Sequence, residues 1–312
     1  MKALVTGVAG FIGSTLADRL VRDGSDVVGI DCFTDYYPRA VKERNLNELL
    51  TSSRFRFTES RVQDADWTHL LADRTHVFHL AAQAGVRRSW GRDFAVYTVN
   101  NIEATQVLLE ACRNATLEKV VYASSSSIYG DSVAIPMRED AMPQPVSPYG
   151  VTKLAAEQLC SLYHVNYGVP TVSLRYFTVY GPRQRPDMGF HRFLRAAALG
   201  EPVSVYGDGE QTRDFTYVDD IVSANIAAAV QGVPGRVYNI GGGSKVSLNQ
   251  ALAMIERVSG SQLHREFKPA QQGDMRNTFA DTALARKDLG FEPRVGLEEG
   301  LAAEHAWLVE LL

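Results

Sequence analysis

The sequence has little cysteine, no excess of positive charge and no long apolar run, and each lack argues against a class of protein. Cys32, Cys112 and Cys160 are the only cysteines in 312 residues, and they show no C-x-x-C or Cys/His ligand spacing. This pattern predicts reduced thiols, with neither a disulfide framework nor a metal site. The formal net charge of −4 provides no positive field for a nucleic acid or an anionic membrane.

No apolar run approaches the roughly 18 residues of a membrane span. Met1 and Lys2 lead directly into an apolar segment at 3–6, which leaves no room for a signal peptide. The 7 histidines also lack metal-ligand spacing. We therefore expect a cytoplasmic globular protein without a nucleic-acid, membrane or metal partner.

Three glycines, Gly7, Gly10 and Gly13, follow the apolar segment at 3–6. Gly7 would allow a tight turn out of a buried strand, Gly10 would let the main chain approach a pyrophosphate, and Gly13 would let a helix pack on the sheet. The phosphates would then lie at a helix N-terminus, where unpaired N–H groups and the helix dipole favour anions. The pattern predicts a dinucleotide site.

A single acid, Asp31, closes the next apolar run at 27–30. This is the place expected for a carboxylate that accepts from the adenosine ribose hydroxyls and repels a 2′-phosphate. The pattern favours NAD over NADP, although Arg39 or Lys42 in the following segment could weaken that preference.

Further strand candidates at 55–58, 77–80, 120–124 and 172–175 alternate with amphipathic helical segments at 100–113 and 149–163. Such alternation predicts an α/β fold with a doubly wound parallel (Rossmann) sheet. After residue 175 the sequence turns to loops rich in Gly, Pro and Arg. We expect residues 1–178, with a returning segment near 214–240, to bind the nucleotide, and residues 179–312 to form a smaller α/β substrate-binding domain.

The stretch from Ser147 to Lys153 carries the second chemical pattern. Ser147 can cap a helix with Pro148 at its first position, which would place Tyr149 and Lys153 four residues apart on one face. An adjacent ammonium and a nicotinamide charge favour the phenolate, and lowering its pKa from about 10 to neutrality takes roughly 4 kcal/mol. Tyr149 is therefore a candidate general base, with a surface pair on an amphipathic helix as the alternative.

Four serines at 124–127 end the strand candidate at 120–124. A hydroxyl at the carboxyl end of a central strand would face the nicotinamide and could relay a proton between a substrate oxygen and Tyr149. The alternative is a serine-rich turn whose hydroxyls bond their own backbone.

Together these residues resemble the extended short-chain dehydrogenase/reductase superfamily, in its branch of nucleotide-sugar epimerases. The resemblance covers nearly the whole chain and includes the glycines, 79–82, the serine strand, Tyr149 with Lys153, 175–182 and 213–220. It implies that Tyr149 removes the sugar O4 proton, that Ser125 relays it, and that a 4-keto sugar turns over and takes its hydride back from bound NAD. It also implies the following cofactor contacts: Gly7, Gly10, Phe11, Ile12, Gly13, Asp31, Val62, Leu80, Ala81, Ala82, Asn100, Tyr149, Lys153 and Tyr176.

The sequence departs from those of related enzymes at two places, which bear on the adenine contact and on the type of reaction. Many relatives place an acid near the adenine, where this chain has 60–64, so Val62 is the expected contact there. Dehydratases of this fold carry an Asp-Glu pair after the relay residue, and here Ser126 and Ser127 stand instead. Without an acid against the 4-keto intermediate, return of the hydride and hence epimerisation is favoured over elimination.

Thr178, the Arg-rich loop at 181–188 and the segment 190–192 resemble the UDP-glucuronate 4-epimerases. Arg185 and Arg192 are the candidates for the sugar carboxylate because a guanidinium matches it in geometry and charge. Alternatively, Arg185 serves the diphosphate and Arg192 is solvated. The expected substrate contacts are Ser125, Ser126, Thr178, Arg185, Gly189, Phe190, Arg192, Val205, Tyr206, Gln211, Arg213 and Arg276, with Arg213 and Arg276 clamping the diphosphate.

The favoured function is therefore NAD-dependent C4 epimerisation of UDP-glucuronate to UDP-galacturonate. The alternatives are a UDP-glucose 4-epimerase, a nucleotide-binding protein without turnover, and an oxidoreductase that releases NADH. Relatives commonly dimerise by pairing two helices into a four-helix bundle, and the apolar residues at 100–113 and 149–163 permit a homodimer here.

Overall fold

A computed structural model describes residues 1–131 and 133–312 of the chain. The strands are β1 Lys2–Thr6, β2 Asp26–Asp31, β3 Phe55–Glu59, β4 His76–His79, β5 Lys119–Ser125, β6 Thr171–Tyr176, β7 Thr178–Tyr180, β8 Val203–Tyr206, β9 Thr212–Tyr217, β10 Val237–Ile240, β11 Lys245–Ser247 and β12 Arg265–Lys268. The helices are α1 Phe11–Arg22, α2 Arg39–Leu46, α3 Trp67–Leu71, α4 Phe94–Tyr97, α5 Ala104–Cys112, α6 Pro148–Tyr167, α7 Gly189–Leu199, α8 Val218–Gln231, α9 Leu248–Ser259, α10 Ala283–Leu289 and α11 Leu297–Val309.

A parallel sheet forms the centre of the fold, and within the described residues it has 7 strands in the order β10-β6-β5-β4-β1-β2-β3. The doubly wound parallel sheet predicted from the sequence is confirmed. The strand order reverses between β1 and β4, so the loops that leave these two strands diverge and open a crevice at their carboxyl ends.

Alternate residues of each strand enter different layers of the core, as the pleat requires. Ala3 and Val5 pack with α1 and α8 on one face of the sheet, whereas Leu4 packs with α5 and α6 on the other. Both faces are covered, which explains why the strands are nearly continuous apolar runs.

Helix α6 begins as the sequence predicts, since Gly150 N–H donates to Ser147 Oγ at 3.1 Å and Pro148 occupies the first turn. The helix predicted at 100–113 begins earlier, at Phe94, and passes through a π-helical segment, Thr98–Glu103, before α5. A π-helix shifts the side-chain period away from 3.6 residues, which hides the continuation from a periodicity argument.

The remaining strands form two small sheets, β11-β9-β7 and β12-β8, beside α7, α9 and α11, which pack on one another. The chain returns to the large sheet with α8 and β10, which is the edge strand next to β6. β9 pairs with β7 in a small sheet, and α8 follows it from Val218.

None of the described helices combines the length and apolarity needed to cross a membrane. Among the residues that the structure covers, no three His, Cys, Asp or Glu side chains meet to hold a metal ion. Cys32, Cys112 and Cys160 are free thiols.

Candidate active site

The turn between β1 and α1 is built for glycine. Gly7 has a φ of 70°, and a Cβ there would lie 2.8 Å from the backbone of Ala81. A Cβ on Gly13 would overlap the carbonyl oxygen of Gly7, so α1 can pack on the turn only without a side chain at this position. The cap residue Gly10 supplies no side-chain hydrogen bond to α1. The first amides of α1 are thus available to an anion.

All the residues that the sequence assigned to the cofactor line one cleft at the carboxyl ends of the strands. They are Gly7, Gly10, Phe11, Ile12, Gly13, Asp31, Val62, Leu80, Ala81, Ala82, Asn100, Tyr149, Lys153 and Tyr176. The sequence reasoning missed further lining residues that follow β2, β3 and β4, among them Thr34, Tyr36, Tyr37, Gln63 and Gln83. They lie in the segments that follow the carboxyl ends of these strands, at the same edge of the sheet, a position that could have identified them.

Asp31 lies at the end of β2 with its carboxylate fixed by two backbone donors. Ala9 N–H donates to Oδ2 at 3.1 Å and Phe33 N–H donates to Oδ1 at 2.9 Å. Burial raises the pKa of Asp31, against these hydrogen bonds and the charge of Lys42. Lys42 donates to Thr34, and Arg39 pairs with Glu43 and Glu59. Both cations that could bind a 2′-phosphate already have partners within the protein, which favours NAD over NADP.

Tyr149 and Lys153 lie on the first turns of α6, where both line the cofactor cleft. The Tyr149 ring packs edge-on against Tyr97, with centroids 6.2 Å apart. Burial raises the pKa of Tyr149, whereas a hydrogen bond from Ser125 and the charge of Arg185 lower it. Lys153 is 3% exposed, its Nζ lies 4.6 Å from the centre of the Tyr122 ring, and burial lowers its pKa to about 8.

Arg185 adds an electrostatic support for Tyr149 that the sequence analysis did not assign to it, because its positive charge lowers the pKa of the phenol.

Ser125 ends β5 and forms part of the wall of a second cleft. Its Oγ accepts a hydrogen bond from Ser127 N–H at 3.1 Å. The neighbouring Ser124 hydroxyl donates to Glu157 at 2.6 Å, and Glu157 forms a buried ion pair with Arg175 at 2.7 Å. Because Glu157 follows Lys153 by one turn of α6, this pair fixes the end of β5 relative to that helix.

The second cleft adjoins the first, and both are lined by Phe11, Tyr36, Tyr149, Tyr176 and Arg185. It contains most of the residues that the sequence assigned to the substrate, namely Ser125, Ser126, Thr178, Arg185, Gly189, Arg192, Tyr206 and Gln211. Arg87 and Arg88, which sequence reasoning missed, also line it, and the Arg87 guanidinium lies 4.4 Å from the Tyr206 ring centre.

The structure does not bring Phe190, Val205 and Arg276 to the cleft as side chains. Phe190 is 3% exposed and Val205 is fully buried in the apolar core, which leaves only their main-chain groups for a ligand. The alternation along β8 could have indicated this, because Val203 and Val205 share the inward face. The Arg276 guanidinium is at the surface, with two hydrogen bonds of 2.8 Å to Asp208.

Arginines of the site differ in how their charges are compensated. Arg185 holds Asp187 with its Nε at 3.0 Å and Nη2 at 3.1 Å. Arg213 borders a small cavity beside Ser126 and Thr178, and within the described residues it donates only to two backbone carbonyls, at 2.9 and 3.3 Å. Burial lowers its pKa, against the nearby charges of Asp274 and Asp131. A guanidinium that forms no ion pair with a described residue and lies beside a cleft is suited to an anionic ligand.

Comparisons with known proteins agree with this geometry. The model of a family described as NAD dependent epimerase/dehydratase matches residues 3–241. The UDP-glucuronate 4-epimerase of Thermodesulfobacterium geofontis is 39% identical over 312 residues, with 98% of this chain and 96% of that protein covered. The protein YtcB of Bacillus subtilis, named as an uncharacterized UDP-glucose epimerase, is 44% identical over 315 residues, with coverage of 100% and 99%. A crystal structure of UDP-glucuronic acid 4-epimerase from Bacillus cereus, in complex with UDP-glucuronic acid and NAD, superimposes with a TM-score of 0.97 at 45% identity, covering 100% of both chains.

Proposed function

Because the chain belongs to the NAD-dependent epimerase/dehydratase family, we propose that it is an isomerase that interconverts UDP-glucuronate and UDP-galacturonate at C4. The observation that carries this proposal is that Tyr149 and Arg185 line both clefts, and that Ser125 lines the second cleft beside them. A proton acceptor, a hydroxyl relay and a guanidinium for an acidic sugar are thereby combined at one point.

The first cleft fits NAD. The turn with Gly7, Gly10 and Gly13 and the uncapped start of α1 suit a pyrophosphate. The fixed Asp31 carboxylate suits a ribose without a 2′-phosphate. When bound, NAD would take hydride from C4 of the sugar and return it to the opposite face of the 4-keto sugar.

The protein's own groups handle the proton at O4. Tyr149 would accept it, directly or through the Ser125 hydroxyl, and give it back when the product forms. Its pKa must fall for this task, and the Ser125 hydrogen bond and the Arg185 charge both act in that direction. Lys153 would bind the nicotinamide ribose.

The second cleft would hold the UDP-sugar. Arg213 would bind the diphosphate, and Tyr206 and Gln211 would lie at the nucleobase. Arg185 and Arg192 would face the sugar carboxylate, with Thr178 adding a hydroxyl. Firm binding of that carboxylate matters because the 4-keto uronate is a β-keto acid, which loses carbon dioxide if the C5–carboxyl bond aligns with the ketone.

The same proposal includes the arrangement of the chain. Residues 1–178 with the returning segment would bind NAD, and residues 179–312 would bind the UDP-sugar.

Exposed apolar side chains on α6, with Leu162 at 53% and Val165 at 76% exposure, support a homodimer through that helix and its neighbour α5. Light scattering coupled to gel filtration would measure its mass. A cytoplasmic location fits the three free thiols.

The direct test is proton NMR of the anomeric region after the purified protein is mixed with UDP-glucuronate, or in a second sample with UDP-galacturonate. We expect both samples to reach the same ratio of the two sugars, and Tyr149→Phe to abolish the change. Steady growth of NADH absorbance with excess NAD would instead support an oxidoreductase. If Tyr149→Phe behaves like the wild type, the proposed chemistry is wrong.

A UDP-glucose 4-epimerase is the second candidate, favoured by the name of the B. subtilis relative. Arg192 separates the two, because it lines the cleft and has no ion-pair partner among the described residues. Arg192→Leu should reduce kcat/KM for UDP-glucuronate selectively. Equal losses for UDP-glucuronate and UDP-glucose, or turnover of UDP-glucose alone, would favour the second candidate.

A further inference from the structure

The loop between β2 and α2, residues 33–38, reaches across the cofactor cleft to the loop at 181–188. The Tyr36 hydroxyl donates to Asp187 Oδ2 at 3.1 Å, although the two residues are 151 positions apart in the chain. Tyr36 lines both clefts, so this single hydrogen bond joins a loop of the cofactor cleft to a loop of the substrate cleft.

Each partner of this hydrogen bond is held in place by other contacts. Arg185 donates to Asp187 Oδ1 from Nε and to Oδ2 from Nη2, which fixes the carboxylate, and Oδ2 accepts from both Arg185 and Tyr36. Burial would raise the pKa of Asp187, but the charge and hydrogen bonds of Arg185 and the bond from Tyr36 lower it overall. Burial and the Asp187 charge raise the pKa of Tyr36. The acceptor is thus ionised and the donor protonated at neutral pH, which makes the hydrogen bond charge-assisted.

The path of the Tyr36 side chain is also determined by its neighbours. Its hydroxyl passes so close to Gly85 that a Cβ there would overlap it. The guanidinium groups of Arg88 and Arg185 lie 5.1 and 5.8 Å from the Tyr36 ring centre. The ring is therefore packed independently of its hydroxyl, and a phenylalanine can occupy the same place.

The far side of the 33–38 loop is fixed as well. Phe33 has a φ of 47°, an uncommon conformation for a residue with a side chain. It packs on Phe57 with ring centroids 5.5 Å apart. Lys42 donates to Thr34 and lies 4.6 Å from the ring centre of Tyr37. With one side held by these contacts and the other by Asp187, the loop spans the mouth of the cleft.

We propose that Tyr36 and Asp187 are positioning residues that hold the 33–38 loop closed over the cofactor cleft and so retain NAD between turnovers. This inference rests on the proposed use of NAD as a recycled cofactor. An epimerase returns its hydride in every cycle and has no need to exchange the dinucleotide, so a closed loop does not lower the turnover rate. Release of NAD then requires the hydrogen bond between the two loops to break.

The test measures NAD release from the holoenzyme. Protein loaded with radiolabelled NAD is diluted into excess unlabelled NAD without any sugar nucleotide, and the retained label is counted over time. Tyr36→Phe removes only the hydroxyl and should raise the dissociation rate about tenfold, equivalent to 1.4 kcal/mol. Asp187→Ala should raise it at least as much, and Asp35→Ala, which removes an exposed acid from the same loop, should match the wild type.

A double-mutant cycle separates this role from general loosening. In the Asp187→Ala background, Tyr36→Phe should have no further effect, because its partner is already absent. A Tyr36→Phe rate equal to that of the wild type would overturn the proposal, and so would a tenfold effect that persists without Asp187. Since no sugar is present, a lack of epimerase activity would refute the proposed function and leave this result unaffected.

Discussion

Replacing Arg213 with methionine should stabilise the ligand-free protein while it weakens the binding of UDP. The guanidinium is partly buried, and among the described residues its hydrogen bonds go only to the backbone carbonyls of Thr212 and Arg276. Burial lowers its pKa by more than the nearby charges of Asp274 and Asp131 raise it. A charge in this situation costs folding free energy, and replacement of buried charges by apolar side chains often stabilises a protein. We expect a gain of about 1 kcal/mol in unfolding free energy, or roughly 2–4 °C in Tm.

The same side chain is expected to stabilise the complex with a bound diphosphate. Two charge-assisted hydrogen bonds at about 1.5–3 kcal/mol each give a loss of about 3 kcal/mol or more, which is roughly 100-fold or more in Kd. Isothermal titration with UDP measures the affinity, and calorimetry without ligand measures the stability.

The matched control is Arg276→Met, which removes an exposed guanidinium that Asp208 already holds. Its effect on UDP affinity should be much smaller than that of Arg213→Met. If Arg213→Met destabilises the ligand-free protein and binds UDP normally, the residue has a structural role and the reasoning is wrong. If both variants lose affinity equally, Arg276 leaves Asp208 on binding and is the second clamp that the sequence predicted.

Three further predictions concern stability and cofactor content. Burial raises the pKa of Glu304 from 4.5 to about 8, so the protonated carboxyl group stabilises the fold at low pH and this stabilisation is lost as the pH rises through 8. Between pH 5 and pH 8 the unfolding free energy of Glu304→Gln should therefore gain up to about 3 kcal/mol relative to that of the wild type. Thermal unfolding of both proteins at the two pH values measures this. Gly13→Ala should remove NAD from the purified protein, measured by absorbance after release, whereas Gly296→Ala, where a Cβ meets nothing within 4 Å, should retain it. Glu157→Gln leaves Arg175 buried without its partner and should cost about 3–5 kcal/mol in urea unfolding.

Each of these has a clear contrary result. A Glu304→Gln variant whose Tm difference from the wild type is independent of pH would mean that the carboxyl group is ionised in the fold. Full NAD occupancy in Gly13→Ala would show that α1 can shift away from the turn. An unfolding free energy within 1 kcal/mol of the wild type for Glu157→Gln would mean that the ion pair contributes little.

The sheet and the residues that line the cofactor cleft could be predicted from the sequence because both follow from local patterns. Gly7 and Gly13 stand where backbone approach forbids a side chain, and Asp31 stands at a strand end, so their places follow from order along the chain. Side-chain direction was harder to predict. Val205 was an expected substrate contact, but its position in the β8 alternation turns its side chain into the core.

Contacts between distant loops were beyond the sequence for a different reason. Nothing near Tyr36 indicates Asp187, since their proximity depends on the whole sheet and on the path of two loops. Burial of Lys153 is likewise a tertiary property, and it lowers the pKa of the ammonium group. Local chemistry was thus predictable from residue order, whereas the electrostatic balance required the assembled structure.

The return of β10 to the large sheet has a consequence for the growing chain on the ribosome. Until residues 237–240 have been synthesised, β6 remains an open edge with unpaired N–H and C=O groups. An exposed apolar edge strand pairs readily with other chains. A fragment truncated before β10 should therefore aggregate, and the nascent protein is expected to need chaperone protection until more than three quarters of its length has emerged.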